Sequence, residues 1–175
     1  MWQDRAFERL IALDHHISGR LSALPPGATR KAVRLVAHTG DGWPWLILSV
    51  LATFTTHEPL RQVSLRALVT IAVAGVLVGS LKLFFRRKRP PGRRDQLYFS
   101  FDHHSFPSGH AARVAALAVV IGSSYPTVEA PLAIWVLLVV LSRVAMGIHY
   151  LFDVIVGILV GIVIGDAMIR MIEIL

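Results

Sequence analysis

The hydrophobic residues of this sequence gather in long blocks separated by short polar stretches. Ahead of the blocks, Trp2, Ala6, Leu10, Leu13, Ile17, Leu21 and Leu24 recur at steps of three and four, the period of one helical face. Arg5, Glu8, Arg9, Asp14, His15 and Arg20 fall elsewhere, and Pro25-Pro26-Gly27 stops the pattern. Residues 1–24 are expected to form an amphipathic helix, lying in the membrane interface or serving as a poor first span, and we favour the interface. Five apolar blocks follow, at 43–54, 67–85, about 108–125, 131–148 and 151–174. Crossing the hydrocarbon takes about 20 residues, so several blocks must include their polar ends. The pattern predicts an all-α, polytopic transmembrane bundle of five to six spans. With no internal repeat and no linker, residues 1–175 read as one membrane-embedded domain.

Composition agrees. Hydrophobic residues make up 54% of the 175 and charged residues 17%, against about 45–50% and about 25% in soluble domains. Mean hydropathy is +0.59. A disordered chain or a nucleic-acid-binding tail is excluded, and nucleic acid is not an expected partner. There is no cysteine, so disulfides and thiol chemistry are excluded. The formal charge of +7 suggests lipid headgroups or anionic substrates as partners of a chain in a bilayer. No cleavable signal peptide is visible, because Asp4, Glu8 and Asp14 interrupt the first 25 residues.

The polar residues inside the blocks have a pattern of their own. If consecutive spans alternate in direction, Lys82 closes one span and His110 opens the next at the same face. Arg143 and His149 end the following span there, and Asp153 opens the last. Ionisable groups within spans are costly and usually functional. The loop 86–106 adds Arg86, Arg87, Lys88, Arg89, Arg93 and Arg94. Alone it would read as a positive-inside anchor; beside the other residues it reads as a phosphate clamp, since guanidinium forks match phosphate oxygens. Pro107-Ser108-Gly109-His110 opens a helix, whose unpaired N–H groups make an anion site that a glycine lets a ligand approach. His149 and Asp153, four apart, are expected to meet on one helix face, where the carboxylate would fix the imidazole tautomer. Cationic donors, a helix N-terminus, an oriented histidine and a second histidine are the equipment for phosphoryl transfer through a covalent intermediate.

These motifs resemble those of the type-2 phosphatidic acid phosphatase family of membrane lipid phosphatases. Lys82, six residues and Arg89-Pro90 match its first motif, and Pro107-Ser108-Gly109-His110 matches the second. Ser142-Arg143, five residues, His149, three residues and Asp153 match the third. The resemblance implies that His149 is the nucleophile, Asp153 its orienting partner and His110 the general acid and then base. Lys82, Arg89, Ser108, Gly109 and Arg143 would hold the phosphoryl group. It implies a helical core, usually of six spans, with no metal or other cofactor, and a membrane lipid phosphate as substrate: a polyprenyl pyrophosphate, phosphatidylglycerophosphate, phosphatidic acid or lipid A phosphate.

The same site would serve a lipid phosphotransferase. A non-catalytic lipid-binding or transport protein would not need the histidines, and a soluble vanadate haloperoxidase would not need the spans. Asp102, His103 and His104 suggest substrate contacts more than a metal site. His15, His16, His38 and His57 have no partner nameable from sequence. Asp166 and Arg170 are expected to pair, and Gly157, Gly161 and Gly165 to let two helices pack closely. With a non-crossing N-terminal helix, the basic residues favour a cytoplasmic site. The resemblance favours the extracytoplasmic side of the plasma (inner) membrane, and we take that as the expectation.

Overall fold

The computed structural model describes residues 2–22, 27–91 and 103–173, with side chains from residue 8 to residue 171 of those segments. Arg93, Arg94 and Asp102 lie outside them. Seven α-helices are described: α1 (Trp2–Leu21), α2 (Ala28–Thr39), α3 (Gly42–Thr55), α4 (Leu60–Phe85), α5 (Gly109–Ser124), α6 (Glu129–Ala145) and α7 (Leu151–Glu173). Three segments are long and apolar enough to cross a membrane, Leu60–Phe85, Pro126–Ala145 and Leu151–Met171; α3 and α5 are shorter apolar helices.

The shortest of the central helices is the most buried. α5 packs against α4, α6 and α7, and Ala111, Ala112, Val114, Ala116, Leu117 and Val120 are sealed from solvent. Its 16 residues span about 24 Å. The glycines of α7 explain the close fit. A Cβ on Gly157 would sit 2.7 Å from the Ser108 carbonyl oxygen, and one on Gly165 2.7 Å from Val119 Cβ. A Cβ on Gly161 would run into the Ala112 carbonyl oxygen. The glycine stripe is thus a packing surface, as expected, and it brings the N-termini of α5 and α7 together: the Ser108 N–H donates to the Asp153 carbonyl oxygen at 2.9 Å.

Two expectations need correction. The fourth block does not continue as helix to residue 148: α6 stops at Ala145, and Gly147 turns the chain at φ 68°, a left-handed conformation suited to glycine. His149 is therefore in a connection, not on a helix face. Between the first two expected elements there is also an unexpected helix, α2, packed on α6. Its junction with α3 is pinned by two tryptophans, with the Trp45 indole N–H donating to the Thr39 carbonyl at 2.7 Å and that of Trp135 to the Thr39 hydroxyl at 2.9 Å. Asp166 and Arg170 do pair, at 2.8 Å.

Candidate active site

The turn at Gly147 delivers His149 onto the start of α7. Its Nδ1 lies 3.5 Å from Asp153 Oδ2, close enough for charge to act but long for a hydrogen bond. The Asp153 carboxylate is wholly buried. Its Oδ2 accepts from the Tyr150 N–H at 2.9 Å and its Oδ1 from Arg87 Nη1 at 2.6 Å. On the other edge of the ring, His149 Nε2 lies 3.4 Å from Arg89 Nη1, which donates to the Ile148 carbonyl at 3.0 Å. The imidazole therefore stands between a carboxylate on its Nδ1 side and a guanidinium on its Nε2 side.

Arg87 appeared in the sequence only as part of a basic loop, yet it joins two carboxylates. Besides Asp153 it donates to Asp14 Oδ2 at 2.6 Å, and its guanidinium lies 4.3 Å over the Tyr150 ring, which stacks on His15 at 4.4 Å. Burial alone would lower its pKa, but the bonds and charges of Asp14 and Asp153 outweigh it and raise the pKa. Asp14 brings α1 into the site. Its Oδ1 accepts the Phe152 N–H at 3.0 Å, and the Ser18 hydroxyl oxygen accepts the Leu151 N–H at 2.8 Å. These N–H groups belong to the first turn of α7 and have no partner within the helix. Two side chains of α1 thus cap α7.

At the start of α5, the Ser108 hydroxyl oxygen accepts the Ala111 N–H at 3.4 Å. With its own N–H bonded to Asp153, Ser108 has its hydroxyl proton left to offer an anion. A Cβ on Gly109 would make only an ordinary contact, 3.6 Å from Val78, so nothing else among the described residues demands glycine there. His110 Nε2 lies 2.8 Å from Asp41 Oδ1, and Asp41 Oδ2 lies 2.8 Å from His38 Nδ1. Sequence reasoning missed Asp41 and left His38 without a partner. Arg143 is buried in the last turn of α6 and is among the charges acting on His110. Lys82, also buried, occupies the last turn of α4. The chain leaves α4 through Arg86 at φ 49°, and the Ser105 N–H donates to the Arg87 carbonyl at 2.9 Å, holding the two described ends of the basic loop side by side. His103 is exposed, and neither it nor His104 belongs to a cluster of three metal-ligand residues among those described.

The sequence model of the PAP2 superfamily matches residues 64–174. The probable lipid phosphate phosphatase beta of Arabidopsis thaliana is 33% identical in an alignment 148 positions long that covers 65% of this chain and 68% of that one. The decaprenylphosphoryl-5-phosphoribose phosphatase of Mycobacterium tuberculosis is 32% identical in an alignment 146 positions long that covers 80% of this chain and 78% of that one. The crystal structure of Aquifex aeolicus LpxE superposes with a TM-score of 0.74 at 25% identity, over 89% of this chain and 93% of that one.

Proposed function

The chain belongs to the PAP2 superfamily, and on that premise we propose that it is an integral-membrane phosphatase that takes a phosphoryl group from a membrane lipid through a phosphohistidine intermediate. The observation that carries this reading is the Asp153–His149–Arg89 line. A carboxylate on the Nδ1 side keeps the proton there and leaves the Nε2 lone pair for attack. A guanidinium on the Nε2 side sits where the oxygens of an attacked phosphoryl group would be.

In the first step His149 Nε2 bonds to phosphorus as the bond from phosphorus to the lipid oxygen breaks, and His110 gives that oxygen a proton. In the second, His110 takes a proton from water, the water oxygen attacks phosphorus, and the bond to His149 breaks. Lys82, Arg89, Arg143, the Ser108 hydroxyl and the N–H at Gly109 hold the phosphoryl oxygens as charge develops on them. Every step uses side chains and backbone groups of this chain, and none calls on a metal ion.

The substrate's head sits at the end of the bundle while its tail stays in lipid. Phe85 and Phe152, both half-exposed, flank Phe106 at 4.9 and 5.9 Å between ring centroids, giving an apolar wall next to Pro107-Ser108. The class is a polyprenyl pyrophosphate, phosphatidylglycerophosphate, phosphatidic acid or lipid A phosphate. We place α1 in the interface at the site end, because Asp14 and Ser18 from its interior meet the start of α7. The site faces the extracytoplasmic side. That follows the family resemblance, and cations engaged in the site, such as Arg87, Arg89 and Arg143, are discounted as sidedness signals.

The test is phosphate release from a panel of these lipids in detergent, with chelator present. Wild-type protein should release free phosphate, unaffected by chelator, and an alkaline quench should retain labelled phosphate on the protein that brief acid removes. His149→Ala should lose about 10³-fold or more in turnover. Near-normal activity in His149→Ala would overturn the nucleophile, and loss in chelator restored by a divalent ion would overturn the metal-free scheme.

A further inference from the structure

We propose that Asp41 is the positioning residue of His110, so that the site works with two histidine–carboxylate pairs rather than one, the second supplied by the α2–α3 turn. This rests on the acid–base role given above to His110. Asp41 lies outside residues 64–174 matched by the family model and 69 residues from His110 in sequence.

The geometry singles out Asp41. It occupies the N-cap position of α3, where an aspartate normally accepts a backbone N–H of the first turn. Here the side chain makes no such bond. Its two oxygens instead lie 2.8 Å from His110 Nε2 and 2.8 Å from His38 Nδ1. The carboxylate is nearly buried, and the turn that carries it is tightly held. A Cβ on Gly40 would lie 2.6 Å from Val139 Cγ1, and one on Gly42 2.9 Å from the Arg113 guanidinium carbon. Arg113 Nη1 donates to the Gly40 carbonyl at 3.3 Å, and the two tryptophans fasten Thr39 one residue earlier. Such a turn can hold a carboxylate to the tolerance that proton transfer requires.

Electrostatics gives Asp41 its task. A general acid must carry a proton when the substrate arrives, and His110 has Arg113 and Arg143 acting on it. Cations that hold a phosphoryl group also disfavour an imidazolium beside them. A carboxylate on Nε2 counters part of that repulsion and fixes the ring for proton transfer. His38, with its side chain 47% exposed, holds the second oxygen and keeps the carboxylate aligned.

The effect is separable from folding through the leaving group. A lipid alkoxide needs the proton from His110 to depart, whereas nitrophenolate does not. The water-activating step needs His110 whichever group has left. Full-length protein in detergent is compared as wild type, Asp41→Asn and His110→Asn, on dioctanoyl phosphatidate and on p-nitrophenyl phosphate. Asp41→Asn should lower kcat on the phosphatidate by ~10²-fold, with KM changed less than about threefold. On p-nitrophenyl phosphate it should give a burst of nitrophenol near one per enzyme, then slow turnover, with labelled phosphate retained on the protein. Equal losses on both substrates without a burst, or wild-type rates on both, overturn the proposal. If His110→Asn is itself fully active, the acid–base reading fails. If His110→Asn is inactive while Asp41→Asn is normal, only the role of Asp41 fails. Should Asp41→Asn not fold, the comparison moves to His38→Gln. There a several-fold loss on the phosphatidate, with a nitrophenol burst and then slowed turnover on p-nitrophenyl phosphate, supports the proposal, and no change, or an equal loss on both without a burst, overturns it.

Discussion

Replacing Asp14 with alanine removes three contacts at once: the acceptor of the Phe152 N–H at 3.0 Å, the partner of Arg87 at 2.6 Å and that of the Ser18 hydroxyl at 3.3 Å. Loss of a helix cap costs about 1 kcal/mol. A hydrogen bond to a charged group contributes about 1.5–3 kcal/mol, and little solvent discount applies, since the Arg87 and Asp14 side chains are only 21% and 10% exposed. Arg87 keeps its bond to Asp153, so it is not stranded and the lower part of that range holds. The sum is about 2–4 kcal/mol, or a fall in Tm of roughly 5–15 °C for a chain of this size. Asp14→Asn keeps an acceptor for the Phe152 N–H but loses the charge, so it should fall between wild type and alanine. The measurement is thermal unfolding in detergent beside phosphate release. Because Arg87 bridges Asp14 to Asp153, turnover should drop by about tenfold in Asp14→Ala. In a double-mutant cycle with Arg87→Met, the two losses should couple by about 1–3 kcal/mol. A melting point within a degree of wild type, with strictly additive losses, would refute the docking of α1 on the site.

Two further outcomes follow from the site. Arg89→Lys keeps the charge but loses the planar guanidinium whose Nη1 reaches both the Ile148 carbonyl and the neighbourhood of His149 Nε2, and with it the fork proposed to hold phosphate oxygens; phosphate release should fall by about tenfold or more, and unchanged kinetics would mean that bulk charge suffices. A single cysteine at exposed His103, in a chain with no native thiol, should react with a membrane-impermeant reagent in intact cells, and labelling only after lysis would place the site on the cytoplasmic side.

The helices were legible because burial in lipid leaves a coarse signal: blocks of apolar residues and a glycine stripe whose period is that of the helix. Their ends were less so. α6 ends where Gly147 adopts a left-handed turn, and an apolar run from Val136 through Ile148 gives little sign of that break. α2 was hidden for a different reason. Its sequence is short and rich in Arg and Lys, so it resembles a loop until Ala37 and Thr39 are seen packed and bonded against α6.

The site divides along the same physical line. His149, Asp153, His110 and Lys82 could be brought to one end of the bundle by alternating the spans, since each lies at a span's edge and sequence fixes which edge. Asp14, Arg87 and Asp41 act through contacts 73, 66 and 69 residues long, and no local period links the partners. Asp14 read as the polar side of an amphipathic helix, and Asp41 drew no reading at all. Asp14 is on α1, and Asp41 precedes α3. What neither position discloses is where the carboxylate is sent. Each acid caps or precedes a helix and also holds a partner at the reacting end of the bundle. On the proposed reading, the chemistry-bearing motifs are held by two acids in the first 41 residues, ahead of residues 64–174 that the family model matches. Truncating that region should damage catalysis more than its modest apolar burial alone would lead one to expect.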